Sequence, residues 1–487
     1  MPISVVDTPR EGFLPDWVDP VHESDLIERR RAIHMTPEVG WCEFLSTARA
    51  AEVLSGLGFE VKVGREILQP DYVRGRDPEE AQHAELYAKD QGVPRQLLDR
   101  MGGLTGCVAV FDTKRPGKTV CIRAELDALY VSEPEDPEHL PARENFHSMR
   151  PGVMHACGHD GHQAVLLELG RFIAANKERL TGKIKFIFQP AEEGSRGAYA
   201  FVRSGVLDDV DTIICAHFGL DQPPGTVYTA PSKFLCTEKI DFEFIGRPSH
   251  AGMHPQTGRN ALMAAANAAI NLMALPRHGD GMTRVNVGNL HAGEGRNVVA
   301  AHATMQIEVR GANEKIKDYL AHEAVQRCAG MAMAFDVQMK HRVVGEAVDF
   351  TPDDSVSQLI TVCAKRARYC RNIQPHLTVT YSDDATVMFR RVQQRGGKAG
   401  YFIVGAMPTR DGKPVHTTEN VDFDERYLTT LYDTYTNVIM ALSGEWWAFW
   451  GVSGPLLPER PFRKQRMLRR GKEPESRQSR ASAKSPM

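Results

Sequence analysis

The sequence predicts an α/β protein: a mostly parallel sheet covered by helices, with an inserted ferredoxin-like α+β domain. Three observations support this fold class. Apolar, often β-branched runs alternate with segments of helical periodicity through most of the chain. Residues 236–345 instead follow the order strand, helix, strand, strand, helix, strand. The length of 487 residues also exceeds what one hydrophobic core usually serves.

The first segment, residues 20–235, begins with a helix and a strand. Its helix has the sequence STARAAEVLSGLG, with apolar residues at helical spacing and a terminal glycine, after which Phe59 and Val61 alternate with polar residues. Residues 65–103 are polar and predict an inserted helical segment. A further helix with one apolar stripe is predicted in DGHQAVLLELGRFIAANKERLTG.

Four short apolar runs predict the main strands of the sheet: KTVCIRAELDAL, KIKFIFQPAEEG, VDTIICAHFG and AGYFIVGA. Ligands of such sheets collect beyond the carboxyl ends of the strands. Asp127 follows the first strand, Glu192 and Glu193 follow the second, His217 lies in the third, and the fourth leads to His416. This recurrence predicts one shared site.

Residues 236–345 are predicted to form the inserted domain. The predicted strands and helices are strand 238–245, helix 258–275, strand 284–291, strand 303–310, helix 314–334 and strand 336–344. Their β-α-β-β-α-β order is that of a ferredoxin-like unit. The first domain is then expected to resume over 346–450, followed by a tail over 451–487.

Composition and charge argue against several classes of protein. With 42% hydrophobic and 25% charged residues, we expect a soluble globular protein. No apolar run reaches about 18 residues and no secretory signal is evident, so we expect a cytoplasmic protein without a membrane span. A net charge of -3 gives no reason to expect nucleic acid, and nine cysteines without a CxxC pair predict reduced thiols. The basic tail 451–487 predicts a disordered appendage, with contact to an anionic surface as the alternative.

The motif HACGHD predicts part of a metal site. Cys157 and His159 are two residues apart, so both side chains can point to one side of an extended loop, and thiolate plus imidazole suit a zinc-class metal. Because two ligands hold a metal poorly, the other donors are expected from Glu193, His217 and His416. Five mixed donors fit two close metal ions. The alternative interpretation of Cys157 is a covalent nucleophile.

Glu192 is predicted to be a general base. In extended chain, neighbouring side chains point opposite ways, so Glu193 can bind metal while Glu192 faces the substrate. A free carboxylate there can take a proton from water and return it to a leaving nitrogen. A lone cysteine, a lone histidine or a glutamate pair is more often structural, but their recurrence at predicted strand ends favours a site. His155 and His162 are expected to support this site.

Several motifs resemble the M20 metallopeptidases, and in particular the amidohydrolase branch that includes auxin-conjugate, hippurate-type and aminobenzoyl-glutamate hydrolases. They are MHACGHDGH, FQPAEEGSRGA, AHFG, GRPSHAGMHPQTGRNAL and GEGRNVV. The likeness covers about residues 25–445. The inserted segment 65–103, with TRVNVG and RVQQ, is most similar to the aminobenzoyl-glutamate hydrolases.

The resemblance implies roles for individual residues. The implied metal ligands are Cys157, His159, Glu193, His217 and His416. They would hold manganese or zinc, two ions per subunit, with Glu192 as the catalytic base. The inserted domain would be a lid and dimerisation domain. Its His250 would reach an active site, its own or that of a partner subunit, to stabilise an oxyanion.

Three further lid residues are predicted to contact substrate. Asn260 and Asn297 match positions of the family that do so. Arg310 is a candidate carboxylate clamp because a guanidinium binds two oxygens at once, although an arginine at a strand end is more often solvated or salt-bridged. The sequence departs from many relatives in RAELDAL, where Glu125 stands in place of an aspartate.

The predicted function is metal-dependent hydrolysis of the amide C–N bond in N-acyl or N-aroyl amino acids, with an aminobenzoyl-glutamate-like compound first. One alternative keeps the site but removes an amino group from an aromatic amine such as nitroanthranilate. Another is a non-catalytic subunit of a paired hydrolase. We expect a small substrate with a carboxylate and a homo-oligomer, and pairing with a second, homologous chain is a further option.

Overall fold

The structure, a computed structural model, describes residues 3–4, 21–410, 413–414 and 422–444. The predicted ligand His416 and the predicted tail 451–487 lie outside the described residues. Among the helices of the described ranges, none combines the length and the apolar character that crossing a membrane requires.

The described part of the chain forms two main sheets and a short hairpin. The strands are β1 (Ile3–Ser4), β2 (Glu60–Val63), β3 (Cys107–Asp112), β4 (Thr119–Glu125), β5 (Lys183–Gln189), β6 (Thr212–Gly219), β7 (Thr226–Ser232), β8 (Cys236–Ile245), β9 (Thr283–Ala292), β10 (His302–Gly311), β11 (Gln338–Ala347), β12 (Asn372–Thr378), β13 (Lys398–Gly405), β14 (Thr409–Arg410) and β15 (Lys413–Pro414).

Helices cover both sheets. The α-helices of the described ranges are α1 (Glu23–His34), α2 (Phe44–Gly56), α3 (Pro78–Asp90), α4 (Arg95–Met101), α5 (Leu140–Arg143), α6 (His159–Ala175), α7 (Ala198–Arg203), α8 (Ala261–Met273), α9 (Glu314–Ala334), α10 (Asp354–Ala364), α11 (Ala385–Gln394) and α12 (Tyr427–Ser443). Segment 65–103 contains α3 and α4.

The larger sheet has the strand order β1-β12-β7-β13-β6-β4-β5-β3-β2. Its four central strands, β13, β6, β4 and β5, are all parallel to one another. Antiparallel pairs flank them, β3 against β5 and β7 against β13. The prediction of a mostly parallel sheet is confirmed. Because β4, β5 and β6 run in one direction, the residues that follow them meet at one edge of the sheet.

The central strands are apolar because both of their faces are buried. Phe186 and Phe188 of β5 belong to a core formed with α2, α6, α10 and α12. Ile187, which points the other way, belongs to a second core formed with α7 and α11. This burial on both faces explains why the parallel strands appear in the sequence as continuous hydrophobic runs.

The smaller sheet has the order β11-β8-β10-β9, and every neighbouring pair is antiparallel. Helices α8 and α9 cover one face, where residues such as Phe242, Phe244 and Met305 are buried. This confirms the predicted ferredoxin-like α+β unit. Outside that helix-covered face the strands carry charged side chains, among them Lys239 and Glu308.

A close contact joins the smaller sheet to the loop that follows β5, residues 190–197, which we call the glutamate loop because it carries Glu192 and Glu193. Gly345 lies at a bulge of β11, and a Cβ atom there would overlap the carbonyl oxygen of Gly194. The backbone N–H of Glu346 donates to the carbonyl of Ser195 at 2.8 Å. Arg74, from the inserted segment, forms a 3.2 Å salt bridge with Glu346. The smaller domain is therefore held directly against the glutamate loop of the larger one.

Candidate active site

Asp127 organises the carboxyl edge of the larger sheet. It lies two residues beyond β4 and is fully buried. Its two carboxylate oxygens accept the backbone N–H groups of Glu192, at 3.1 Å, and Glu193, at 2.8 Å. Its backbone carbonyl lies 2.8 Å from Nδ1 of His159. One residue therefore positions both the glutamate loop and the first histidine of α6.

The predicted metal ligands within the described residues converge at this edge. Donor atoms of Cys157, His159 and His217 lie within 4.8 Å of one another, and so do donor atoms of His159, Glu192 and Glu193. Sγ of Cys157 is 3.4 Å from Nε2 of His217. The structure thus brings together four of the five ligands proposed from sequence, together with the proposed base.

Both histidines use Nδ1 for a hydrogen bond to a backbone carbonyl, so Nε2 is the atom that each directs toward the donor cluster. Nδ1 of His159 faces the carbonyl of Asp127, and Nδ1 of His217 faces the carbonyl of Phe218 at 2.8 Å, so each Nδ1 carries the proton and donates. Nε2 of His159 is buried and has no hydrogen-bond partner among the described residues. A buried acceptor without a partner is costly, and a metal ion would satisfy it.

Burial shifts the pKa values of several residues in the cluster. Burial, followed by the charge of Glu193, raises the pKa of Cys157 to about 12, so the thiolate, which a nucleophile and a metal ligand both need, is disfavoured without a nearby cation. Burial and the nearby His162 lower the pKa of His217 to about 4, which keeps its lone pair available. Burial and the charges of Asp383 and Glu193 raise the pKa of Glu192 well above its usual range. A cation would stabilise these crowded donors.

His162 supports the cluster through its own hydrogen bonds. Its Nδ1 lies 2.7 Å from Glu125, and its Nε2 accepts the backbone N–H of Phe218, next to His217. Glu125 also forms a buried ion pair with Arg123. Glu125 therefore contacts two partners, His162 and Arg123, at once.

A cavity of about 650 Å³ opens next to the cluster. Cys157, Glu192, Glu193 and His217 line it. Apolar side chains form another part of its wall, namely Phe218, Leu220, Leu377, Val379, Tyr381, Ile403 and Met407. Lys239 and Arg310 reach it from the smaller domain. The cavity can therefore accept a molecule with an apolar part and an anionic part.

The other lid residues predicted from sequence lie outside this cavity. His250 is exposed, and its Nδ1 accepts two backbone N–H groups of its own loop, each at 3.1 Å. Asn260 caps α8 by accepting the N–H of Met263 at 3.0 Å. Asn297 is exposed. Nothing is described for His416.

Asp383 is a cavity residue that the sequence reasoning missed. It is 3% exposed, accepts the hydroxyl of Tyr401 at 2.9 Å, and lies 3.3 Å from Arg123. Carboxylate oxygens of Glu192, Asp383 and Asp384 lie within 4.8 Å of one another. The acidic pair in YSDDAT, at the start of α11, could have indicated this residue. It lies far from the PAEEG motif along the chain, so the sequence did not show that Asp383 approaches Glu192.

Comparison with known proteins gives matches over most of the chain. Residues 121–441 match peptidase family M20/M25/M40. A homolog of a p-aminobenzoyl-glutamate hydrolase subunit, from Haemophilus influenzae, is 43% identical over 420 residues, covering 86% of this chain and 98% of that protein. An indole-3-acetyl-aspartic acid hydrolase from Enterobacter agglomerans is 40% identical over 426 residues, covering 87% of this chain and 96% of that protein.

A solved structure matches the fold over the same extent. The crystal structure of an aminobenzoyl-glutamate utilization protein from Klebsiella pneumoniae has a TM-score of 0.72 and 35% sequence identity to this chain. The match covers 86% of this chain and 95% of that one.

Proposed function

The chain belongs to peptidase family M20/M25/M40 and is a metal-dependent amidohydrolase of that family, and we propose that it cleaves N-acyl or N-aroyl amino acids. The first candidate substrate is an aminobenzoyl-glutamate-like compound. The family resemblance predicted from the motifs is confirmed. The substrate proposal depends on one observation, the position of the donor cluster and Glu192 at the end of a cavity with an apolar and a cationic wall.

The donors present fit a dinuclear site for manganese or zinc. Cys157, His159, Glu193 and His217 would hold the ions, and His416 is the fifth ligand proposed from sequence. Bound ions of this class polarise a carbonyl group and lower the pKa of water. Asp127 keeps the glutamate loop and the ring of His159 in place without binding metal itself.

Glu192 is the proposed general base and acid. It lines the cavity, its N–H is held by Asp127, and its Oε2 lies 3.9 Å from Nε2 of His159. A carboxylate whose pKa is raised by burial and by Asp383 is a stronger base than a solvated one. It takes a proton from the attacking water and returns it to the amide nitrogen as the amino acid leaves.

We also propose a homodimer formed through the smaller domain. Met263, Ile270 and Met273 of α8 are 42%, 70% and 52% exposed, so α8 presents an apolar face. Strand β9 lies at the end of the smaller sheet in the described strand order. Because His250 is exposed and lies outside the cavity of its own chain, we propose that it serves the active site of the second subunit.

Product analysis by mass spectrometry tests this function. Manganese-loaded protein receives aminobenzoyl-glutamate, hippurate, indoleacetyl amino acids and nitroanthranilate. We expect release of an amino acid, slowed about 100- to 10,000-fold in Glu192→Gln and unchanged in Glu52→Gln, which alters an exposed glutamate of α2. Ammonia from nitroanthranilate without amide cleavage would establish the aminohydrolase alternative instead. Absence of turnover without a second chain would support the non-catalytic subunit.

A further inference from the structure

Three charged residues of the smaller sheet form a linked group, and two of them line the cavity. Lys239 on β8 pairs directly with Glu308 on β10, and Arg310 lies two residues further along β10. One carboxylate oxygen of Glu308 is 2.9 Å from Nζ of Lys239, and the other is 2.9 Å from Nε of Arg310. Lys239 and Arg310 are the two members that line the cavity.

The group has two positive charges and one negative charge, so it presents one surplus positive charge. Although burial opposes it, the charges of Lys239 and Arg310 hold the pKa of Glu308 below its usual range, which keeps this carboxylate ionised. An ammonium group has three donors and Glu308 takes one. The Nε of Arg310 faces Glu308, and among the described residues no hydrogen bond engages its terminal nitrogens. Both cations therefore retain donors for a ligand.

Lys239 is also held close to the reaction site. Its side-chain stem lies beside Gly345, the same glycine that packs on the carbonyl groups of Gly194 and Ser195. These residues directly follow the proposed ligand Glu193. Lys239 and Glu193 also line the same cavity, so this ammonium lies on the wall of the cavity that contains the catalytic cluster. A group bound by Lys239 would therefore belong to the same substrate molecule that reacts there.

We propose that Lys239 is a specificity-determining residue that binds the side-chain carboxylate of an acidic amino acid, while Arg310 binds the α-carboxylate. This inference rests on the proposed function and narrows its substrate class to N-acyl dicarboxylic amino acids. In a ligand with two carboxylates, one carboxylate would bind the ammonium group of Lys239 and the other would bind the guanidinium of Arg310. A monocarboxylic amino acid would leave Lys239 paired with Glu308 alone.

The test compares two substrates that differ in one charge, the aminobenzoyl conjugates of glutamate and of glutamine. We expect the manganese-loaded protein to prefer the glutamate conjugate in kcat/KM by about 10- to 100-fold, the range of one charge-assisted hydrogen bond. In Lys239→Met the ratio of kcat/KM for the glutamate and glutamine conjugates is expected to fall to about 1, chiefly through a higher KM for the glutamate conjugate. The kinetic constants of the glutamine conjugate are expected to change much less.

Lys340→Met is the matched control. Lys340 lies on β11 of the same sheet, is paired with Glu243 at 3.5 Å, and is 67% exposed. It lines a separate depression of the sheet. The control should retain the full preference for the glutamate conjugate, and thermal unfolding should show that both variants are folded.

Two outcomes would overturn the inference while leaving the amidohydrolase intact: no preference in the unaltered protein, or an unchanged preference in Lys239→Met, whether both conjugates keep their kcat/KM or both lose it equally. An equal loss would mean that Lys239 merely neutralises Glu308. If no conjugate is hydrolysed at all, the proposed function fails separately. Calorimetric binding of both conjugates to Glu192→Gln, with and without Lys239→Met, then decides the role of Lys239 without turnover.

Discussion

The Asp127 carboxylate accepts the backbone N–H of Glu193 at 2.8 Å, so the end of β4 sets the position of the loop that follows β5. These strands are parallel neighbours. The bond lies inside the protein, where Asp127 is fully buried. It therefore connects the sheet directly to the proposed catalytic cluster.

Asp127→Asn is expected to weaken metal binding about 10- to 100-fold and to lower kcat/KM with it. The amide has one oxygen instead of two, and its NH2 group would face one of the backbone N–H donors that the carboxylate now accepts. Competition with a chelator measures the affinity. Asp71→Asn, at an exposed position, is the control. Unchanged metal affinity in Asp127→Asn would contradict the role given to this hydrogen bond.

Removal of metal is expected to abolish turnover and lower stability, and manganese or zinc should restore both. Metal at 100 times its dissociation constant stabilises the folded state by about 2.7 kcal/mol. His159→Ala should lose this metal-dependent stabilisation in thermal unfolding, because the substitution removes the proposed metal-binding atom Nε2. His302→Ala changes an exposed histidine of β10 and should retain the full stabilisation by metal. Full activity after exhaustive chelation would exclude the proposed mechanism.

Gly345→Ala is expected to destabilise the protein by about 1–3 kcal/mol, because a Cβ atom would overlap the carbonyl of Gly194. The strain displaces the glutamate loop, so kcat/KM should fall about 10- to 100-fold. Gly330→Ala is the control, since this helical glycine has open space around it and alanine should stabilise by about 0.5–1 kcal/mol. Chemical denaturation measures both. Equal stabilities of the two variants would refute the contact.

Ile270→Glu is expected to convert the proposed dimer into monomers. An unpaired charge buried in an interface costs about 2 kcal/mol or more, which corresponds to a dissociation constant at least about 30-fold higher. Equilibrium sedimentation measures this change. Leu86→Glu, which alters another exposed apolar residue on α3, should leave the assembly unchanged. A dimer that persists in Ile270→Glu would place the interface elsewhere.

Glu133→Gln is expected to flatten the acid dependence of stability. Although burial opposes it, hydrogen bonds from His139 and His34 lower the pKa of Glu133 from 4.5 to about 2. This difference in pKa contributes at most about 3 kcal/mol to the free energy of unfolding. The contribution is fully present above pH about 4.5 and is lost as the pH falls toward 2. Urea unfolding of metal-free protein across this range measures it. Glu138→Gln, in the same segment, is the control variant. If the two variants show the same dependence of unfolding free energy on pH, Glu133 does not have this role in acid sensitivity.

The fold class was predictable because strand and helix periodicities are local properties of the chain. Parallel strand β5 and the ferredoxin-like order of 236–345 could be recognised from neighbouring residues alone. The reversed direction of β3 and β7 could not, because direction depends on how distant segments pair. Asp383 was missed for the same reason, since it approaches Glu192 through the packing of a separate part of the chain.

The sequence by itself determined the types of donor and the edge of the sheet at which they collect, because Cys157 and His159 share one motif and Glu193 directly follows a strand. Only the tertiary structure decided which atoms can act. It assigned the proton positions of His159 and His217, placed His250 outside the cavity, and directed Lys239 into it. The physical reason is that residue type and periodicity are encoded locally, whereas donor geometry, burial and charge depend on strand register and on contacts between distant segments.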